Sequence, residues 1–117
     1  MKDNILNFTA ESAVPAFRFV VAGSSEGTVK PAAAGADALG VSTDMEASAG
    51  GSCDVQLDGV TQIELGGTVA FGGKVASDAA GKGVACASGS YAAVALDSGV
   101  TGDLIRIKIV SGTVAGN

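Results

Sequence analysis

The side chains able to do chemistry in this chain are two cysteines, twelve carboxylates and a number of hydroxyls, with no histidine among them. The sequence therefore lacks the usual general base near neutral pH, the base of a nucleophilic triad and the commonest transition-metal ligand. Ser24-Ser25 and Ser88-Gly89-Ser90 have no base to activate them and read as turn residues. Asp44 with Glu46, and Asp54 with Asp58, carry oxygens suited to calcium, but neither pair follows the ligand order of a calcium loop, so solvated turn carboxylates are expected. Asp44 and Asp97 each follow a short apolar run, where an aspartate can accept bonds from local backbone amides. Gly67-Thr68-Val69-Ala70-Phe71-Gly72-Gly73-Lys74-Val75 has the glycines and lysine of a phosphate loop. Its spacing fails by one residue, and Val75 replaces the metal-binding hydroxyl. Asn7-Phe8-Thr9 fits a glycosylation sequon. Cys53 and Cys86 lie 33 residues apart, without the close paired spacings of a zinc site. Both sit in alternating apolar patterns and read as free thiols packed like small hydrophobes; a disulfide or a reactive thiol is the alternative. No catalytic, metal-binding or cofactor-binding residue is expected.

The composition narrows the function classes further. A net charge of −5 and a pI near 4.4, with seven scattered basic residues, argue against nucleic acid as a partner, because phosphate neutralisation needs clustered lysine and arginine. The first residues, Met1-Lys2-Asp3-Asn4-Ile5-Leu6-Asn7-Phe8, are too polar and too short in apolar content for a secretory signal, so synthesis in the cytoplasm is expected. No stretch is apolar enough to span a bilayer as a helix, and no membrane partner is expected. Eighteen glycines, two prolines and one tyrosine with four phenylalanines describe a turn-rich chain with a thin core of valine, isoleucine and leucine. Mean hydropathy of +0.41, with only 16% charged residues, is high for so small a chain. Part of its apolar surface is expected to be covered by another protein.

These residues must be positioned by strands. A pattern from about Val14 to Gly59 recurs from about Val69 to Ser111: Val21, Gly27 and Val29 answer Val75, Gly81 and Val84. Val41 and Asp44 answer Val94 and Asp97, and Gly50, Cys53, Val55 and Leu57 answer Gly102, Ile105, Ile107 and Ile109. Two such copies make a pseudo-symmetric domain over residues 14–112, preceded by an extended N-terminal arm over 1–13 and followed by a loose tail over 113–117. Alternation predicts strands at Val14–Val21, Thr28–Lys30, Leu39–Ser42, Ser52–Leu57 and Val60–Leu65. Asp58-Gly59 predicts a hairpin between the last two, and Gly66-Gly67 a boundary between the halves. Further strands are predicted at Thr68–Phe71, Gly73–Ala76, Gly83–Cys86, Tyr91–Leu96 and Leu104–Val110, with at most one short helix near residues 76–80. Leu104–Val110 is the clearest, with Ile105, Ile107 and Ile109 facing one way and Arg106 and Lys108 the other. The fold class expected is all-β, a small antiparallel barrel or sandwich of two pseudo-repeats.

Phe17-Arg18-Phe19-Val20-Val21, then Leu39-Gly40-Val41-Ser42 leading into Ala49 to Val60, then Ala92 to Asp97 leading into Thr101 to Ile107, resemble a known family. It is that of the small glycine-, alanine- and valine-rich capsid cement or head decoration proteins of tailed bacteriophages. The resemblance covers about residues 14–112. It implies a structural virion protein on the capsid exterior that binds the major capsid protein of the expanded shell, commonly as a homotrimer, and stabilises it without catalysis. Within that reading Ile5, Leu6 and Phe8 are the candidate contact residues, as apolar anchors of the segment outside the repeat. The alternative is a tail- or fibre-associated adhesion domain that recognises carbohydrate, for which Tyr91 and four phenylalanines are meagre aromatic support. A hydrolase lacking histidine comes third.

Overall fold

The computed structural model describes residues 4–114. It contains ten strands: β1 (Ile5–Ala10), β2 (Phe19–Ala22), β3 (Thr28–Pro31), β4 (Gly40–Ser42), β5 (Ser52–Gln56), β6 (Gly59–Glu64), β7 (Lys74–Ser77), β8 (Gly83–Ala85), β9 (Gly89–Ala95) and β10 (Leu104–Val114). The first five form a closed barrel in the order β1-β3-β2-β4-β5, and the last five a sheet in the order β6-β10-β9-β7-β8. The all-β class expected from the sequence is the class observed. No helix occurs among the described residues, and residues 76–80, where a short one was allowed, are the end of β7 and a turn.

The two sheets have the same connectivity. In the first, β3-β2-β4-β5-β1 runs as an antiparallel ribbon and closes where β1 lies parallel to β3, Thr9 beside Thr28. In the second, β8-β7-β9-β10-β6 repeats that path, and its seam carries one parallel bridge between Leu65 and Gly83. Paired antiparallel bridges, Val14 to Ala47 and Val69 to Gly99, recur at the matching ends. The repeat is therefore larger than its sequence signal. Within the expected N-terminal arm, Ile5–Ala10 form an extended strand docked on its own chain, and β6 is its counterpart.

Several expectations change for the same reason: pairing is decided by strands distant in sequence. Asp58-Gly59 does turn, with Gly59 at φ 85°. It makes no hairpin, because β5 is already flanked by β1 and β4 while β6 pairs with β10. The boundary between the units thus falls at Leu57–Asp58, not at Gly66-Gly67. Val20, not Val21, answers Val75, since Val20 pairs with Gly40 and Pro31 as Val75 pairs with Ala93 and Ala85. Gly83, not Val84, likewise answers Val29. Thr68–Phe71 is a bridge and turn, not a strand. Ser111–Val114 belong to β10: past a bulge between Ile109 and Gly112, they pair with β9 as far as Gly89. The rest of the predicted loose tail, 115–117, lies outside the described residues.

The predicted strand from Val14 begins only at Phe19, because Phe17 takes φ 56°. Its counterpart is Gly72, at φ 82°. A side chain in this left-handed region costs about 1–2 kcal/mol and persists only where neighbours over-determine it. Here Ser42 does so. Its buried hydroxyl donates to the Pro15 carbonyl (2.8 Å) and accepts from the Arg18 amide (2.9 Å), while the Phe17 amide donates to the Thr43 carbonyl (3.1 Å).

Two cores result. Ala10, Val14, Val20, Val29, Ala47, Cys53 and Val55 fill the first barrel. The second joins Ile63, Leu65, Val75, Ile105 and Ile107 of the second unit to Phe19, Ala32 and Val41 on the outer face of the first. Backbone bonds seal this junction: the Phe19 amide donates to Gly81 (2.7 Å), Gly35 to Ser77 (2.9 Å) and Glu64 to Phe17 (3.1 Å). Gly81 sits at φ 83°, and a Cβ there would lie 2.7 Å from the Phe19 carbonyl oxygen. Its counterpart Gly27, at φ 80°, has open space around it.

Two stability predictions follow from these turns. Phe17→Gly is expected to be more stable than Phe17→Ala by about 1 kcal/mol in urea unfolding, since both remove the ring and only glycine removes the backbone strain. A Phe17→Ala variant at least as stable would contradict strain at this position. Gly27→Ala is expected to cost about 1 kcal/mol for its φ alone, and Gly81→Ala clearly more, because its methyl also pushes the units apart. Equal losses would mean that the Gly81 turn does not hold the junction.

Candidate functional site

The strands leave several large apolar side chains in solvent: Ile5, Leu6, Leu39, Met45, Val60, Phe71, Val100 and Leu104. Phe71, at 72% exposed, and Met45, at 67%, are the most open. The described structure also holds a cleft of about 410 Å³ where the first barrel meets the start of the second unit. Ile5 of β1, Asp54 and Gln56 of β5, Thr61 of β6, the Phe17 turn and the Thr43–Met45 loop line it. Pleating explains the grouping: Asp54 and Gln56 point outward from β5, opposite the buried Cys53 and Val55, and their β1 partners are Asn7 and Ile5.

The predicted contact residues separate accordingly. Ile5 is 47% exposed and lines the cleft. Leu6 and Phe8 alternate to the other face, where Phe8 packs against the first barrel's core and Leu6 remains half exposed near the strand's start. The structure does not bring the three together. Phe17, Met45 and the Asp44 and Asp54 carboxylates were not picked out as contact residues from the sequence. The signal available was the repeat itself, which aligns Asp54 with Arg106.

Polar groups around the cleft are tied in unequally. Asn7 Nδ2 donates to Asp54 Oδ1 (2.9 Å) and to Ser52 Oγ (2.6 Å). Buried Gln56 donates from Nε2 to the Asp58 and Val60 carbonyls (2.9 and 3.0 Å), clamping the linker between the units. Behind the Phe17 turn, Arg18 is only 13% exposed and reaches Glu64 of the second unit at 3.1 Å, with Lys82 on the other carboxylate oxygen at 3.6 Å. These cations, Arg18 foremost, hold the Glu64 carboxyl below its ordinary range. Among the described residues, neither Asp44 nor Asp54 has a cation within ion-pair distance.

The same place in the second unit is closed by an ion pair. Asp97 accepts from the Arg106 backbone amide (3.0 Å), from Nε (3.0 Å) and from Nη2 (2.8 Å), a two-pronged contact. These bonds bring the Asp97 carboxyl down from 3.8 to about 2. Asp97 corresponds to Asp44 and Arg106 to Asp54, because the Leu96 amide bonds Arg106 as the Thr43 amide bonds Asp54.

Among the described residues no three acidic or thiol groups gather as a metal site would require. Both cysteines are free. Cys53 is buried in the first barrel, and burial pushes its thiol pKa up, with nearby Asp54 adding to the shift. Cys86 is half buried beside the Ser88, Gly89 and Ser90 carbonyls. Serines 24 and 25 serve turns: Ser24 donates to Glu11, and the Ser25 carbonyl accepts from Thr28.

Comparison with known proteins adds two findings. A family model described as phage cement protein matches residues 1–109. The fold is similar to the crystal structure of the head fibre gp8.5 N base in bacteriophage phi29, with a TM-score of 0.76 and 17% identity, covering 93% of this chain and 95% of that one. No curated protein matches the sequence.

The Asp97 geometry gives a titration prediction. Its folded-state pKa is below the unfolded value, so the pair contributes stability above about pH 3.8 that is lost as pH falls toward about 2. In Arg106→Gln the Asp97 carboxyl, followed by carbon-detected NMR, is expected to titrate above about 2 but to remain below 3.8, because the side-chain bonds are lost while the backbone amide bond stays. An unchanged midpoint would mean that Arg106 is not the cause.

Proposed function

This chain belongs to the phage cement protein family and has a structural, capsid-associated role in the virion; from that premise we propose that it binds the exterior of the expanded shell, on the major capsid protein, as a homotrimer. The observation that carries the reading is the family match across residues 1–109. The expected tasks are structural, not catalytic. In this reading the protein is made in the host cytoplasm and added to the assembled shell.

The mechanism is mass action. A protein that binds the expanded lattice and not the compact one stabilises the expanded form by its binding free energy, about 2.7 kcal/mol per site when free protein is a hundredfold above its Kd. A trimer that spans neighbouring capsid subunits gains further, because its second and third contacts form at a high effective concentration. The two units act as one domain, since Phe19 and Val41 of the first are buried among Ile63, Leu65 and Ile107 of the second. A rigid body of this kind transmits lattice strain from one bound subunit to the next.

Ile5 and Leu6 fit a docking role through their exposed surface, while Phe8 supports β1 from within. A fibre-associated role is the second reading, favoured by the fold shared with a phage head fibre base.

Purified protein mixed with expanded, undecorated shells is expected to co-sediment with them and not with unexpanded shells, and to raise their resistance to heat and chelators. Failure to co-sediment, together with a hit on a glycan array, would overturn the cement reading in favour of adhesion.

A further inference from the structure

The two units share a backbone plan but differ in how one outward corner is finished, and the difference identifies what the first unit is built to receive. In the second unit the corner is self-contained: Arg106 from β10 lies against Asp97 in a two-pronged contact. Among the described residues of the first unit, no cation lies within ion-pair distance of the matching carboxylate. Asp54 stands where Arg106 would be, so the corner presents two carboxylates, Asp44 and Asp54, to one cleft. Opening that corner leaves the cleft of about 410 Å³, in which Ile5, Phe17 and Met45 offer apolar surface suited to the methylenes and planar head of an arginine, beside the polar Thr43, Gln56 and Thr61.

Charge is distributed to match. Up to Asp58 the chain has eight acidic and three basic residues; beyond it, four of each. The whole net charge of −5 therefore belongs to the half that carries the cleft. The strained turn at Phe17 points the same way, since its counterpart in the closed corner is glycine, and the strain is retained where the ring lines the cleft.

We propose that this cleft receives an arginine from an apolar-flanked segment of the capsid subunit, which supplies between two chains the ion pair that Arg106 makes within one. The assignment rests on the cement reading above and names the surface through which it acts. Ile5, Phe17 and Met45 would pack against the arginine stem, and the two carboxylates in the lining select a cation over a neutral side chain. A neutral or acidic segment would desolvate both carboxylates with no cation to offset it, the Asn7 amide being the partner of Asp54 alone.

The test is co-sedimentation with expanded, undecorated shells over a salt series, using the full chain and three variants. Asp44→Asn/Asp54→Asn is expected to weaken binding about tenfold or more and to flatten its salt dependence. Asp54→Arg is expected to close the cleft from within, as Arg106 closes its counterpart, and to abolish binding while unfolding at or above the wild-type temperature. Val100→Ser/Leu104→Ser, on the second unit, is the control and is expected to bind as wild type. If the wild type binds and the Asp variants bind equally with the same salt slope, the cleft is not the seat and the cement reading stands. If the wild type does not bind shells at all, both fall. If the Asp variants change only the size of the free protein by light scattering, the occupant is a second copy of this chain, and the assignment to a capsid subunit is overturned.

Discussion

The outer face of β2 and β4 must be covered, and the rest of the molecule is arranged around that requirement. β2 is apolar on both sides: Val20 points into the first barrel, while Phe19, with Val41 beside it on β4, points out of it. A strand exposed on one side would carry polar residues there, as β10 does with Arg106 and Lys108. The second unit supplies the cover, and its Gly81 turn comes close enough for direct backbone hydrogen bonding only because no side chain intervenes. The corresponding outward position of the second unit is Lys74, which is exposed and lies 5.5 Å from the Tyr91 ring centroid. The stacking is therefore head to tail and ends after two units.

That asymmetry lets one backbone plan serve two purposes. The second unit covers the first and closes its own corner with the Asp97–Arg106 pair. The first unit, freed at the matching corner, keeps a cleft with carboxylates and apolar surface. Duplication provides the rigid frame, and divergence at a few outward positions provides the difference in surface. Because Asp44, Asp54, Asp97 and Arg106 belong to neither core, differences at that corner cost the fold little.

The sequence made the strands legible wherever one face is wet. Leu104–Val110 and Ser52–Leu57 alternate cleanly, and both are strands with the predicted residues inward. Where both faces are covered, alternation disappears, and the repeat alignment slipped by one residue at Val21 for that reason. A slip of one reverses the two faces of a strand. It hid the fact that Phe19 corresponds to Lys74, the substitution that marks which unit is covered.

Amino-acid order alone determined the β class, the duplication, the turn glycines and the absence of a histidine-based chemistry, because each depends on local backbone preference or on composition. The pairing of strands was decided only in three dimensions. Asp58-Gly59 has the local character of a hairpin, yet it links two sheets, since β1 reaches β5 first and no short-range signal records that competition. The cleft arose in the same way. Ile5, Phe17, Asp44, Asp54 and Thr61 are scattered over half the chain, and only the closing of the barrel against the second unit gathers them around one space.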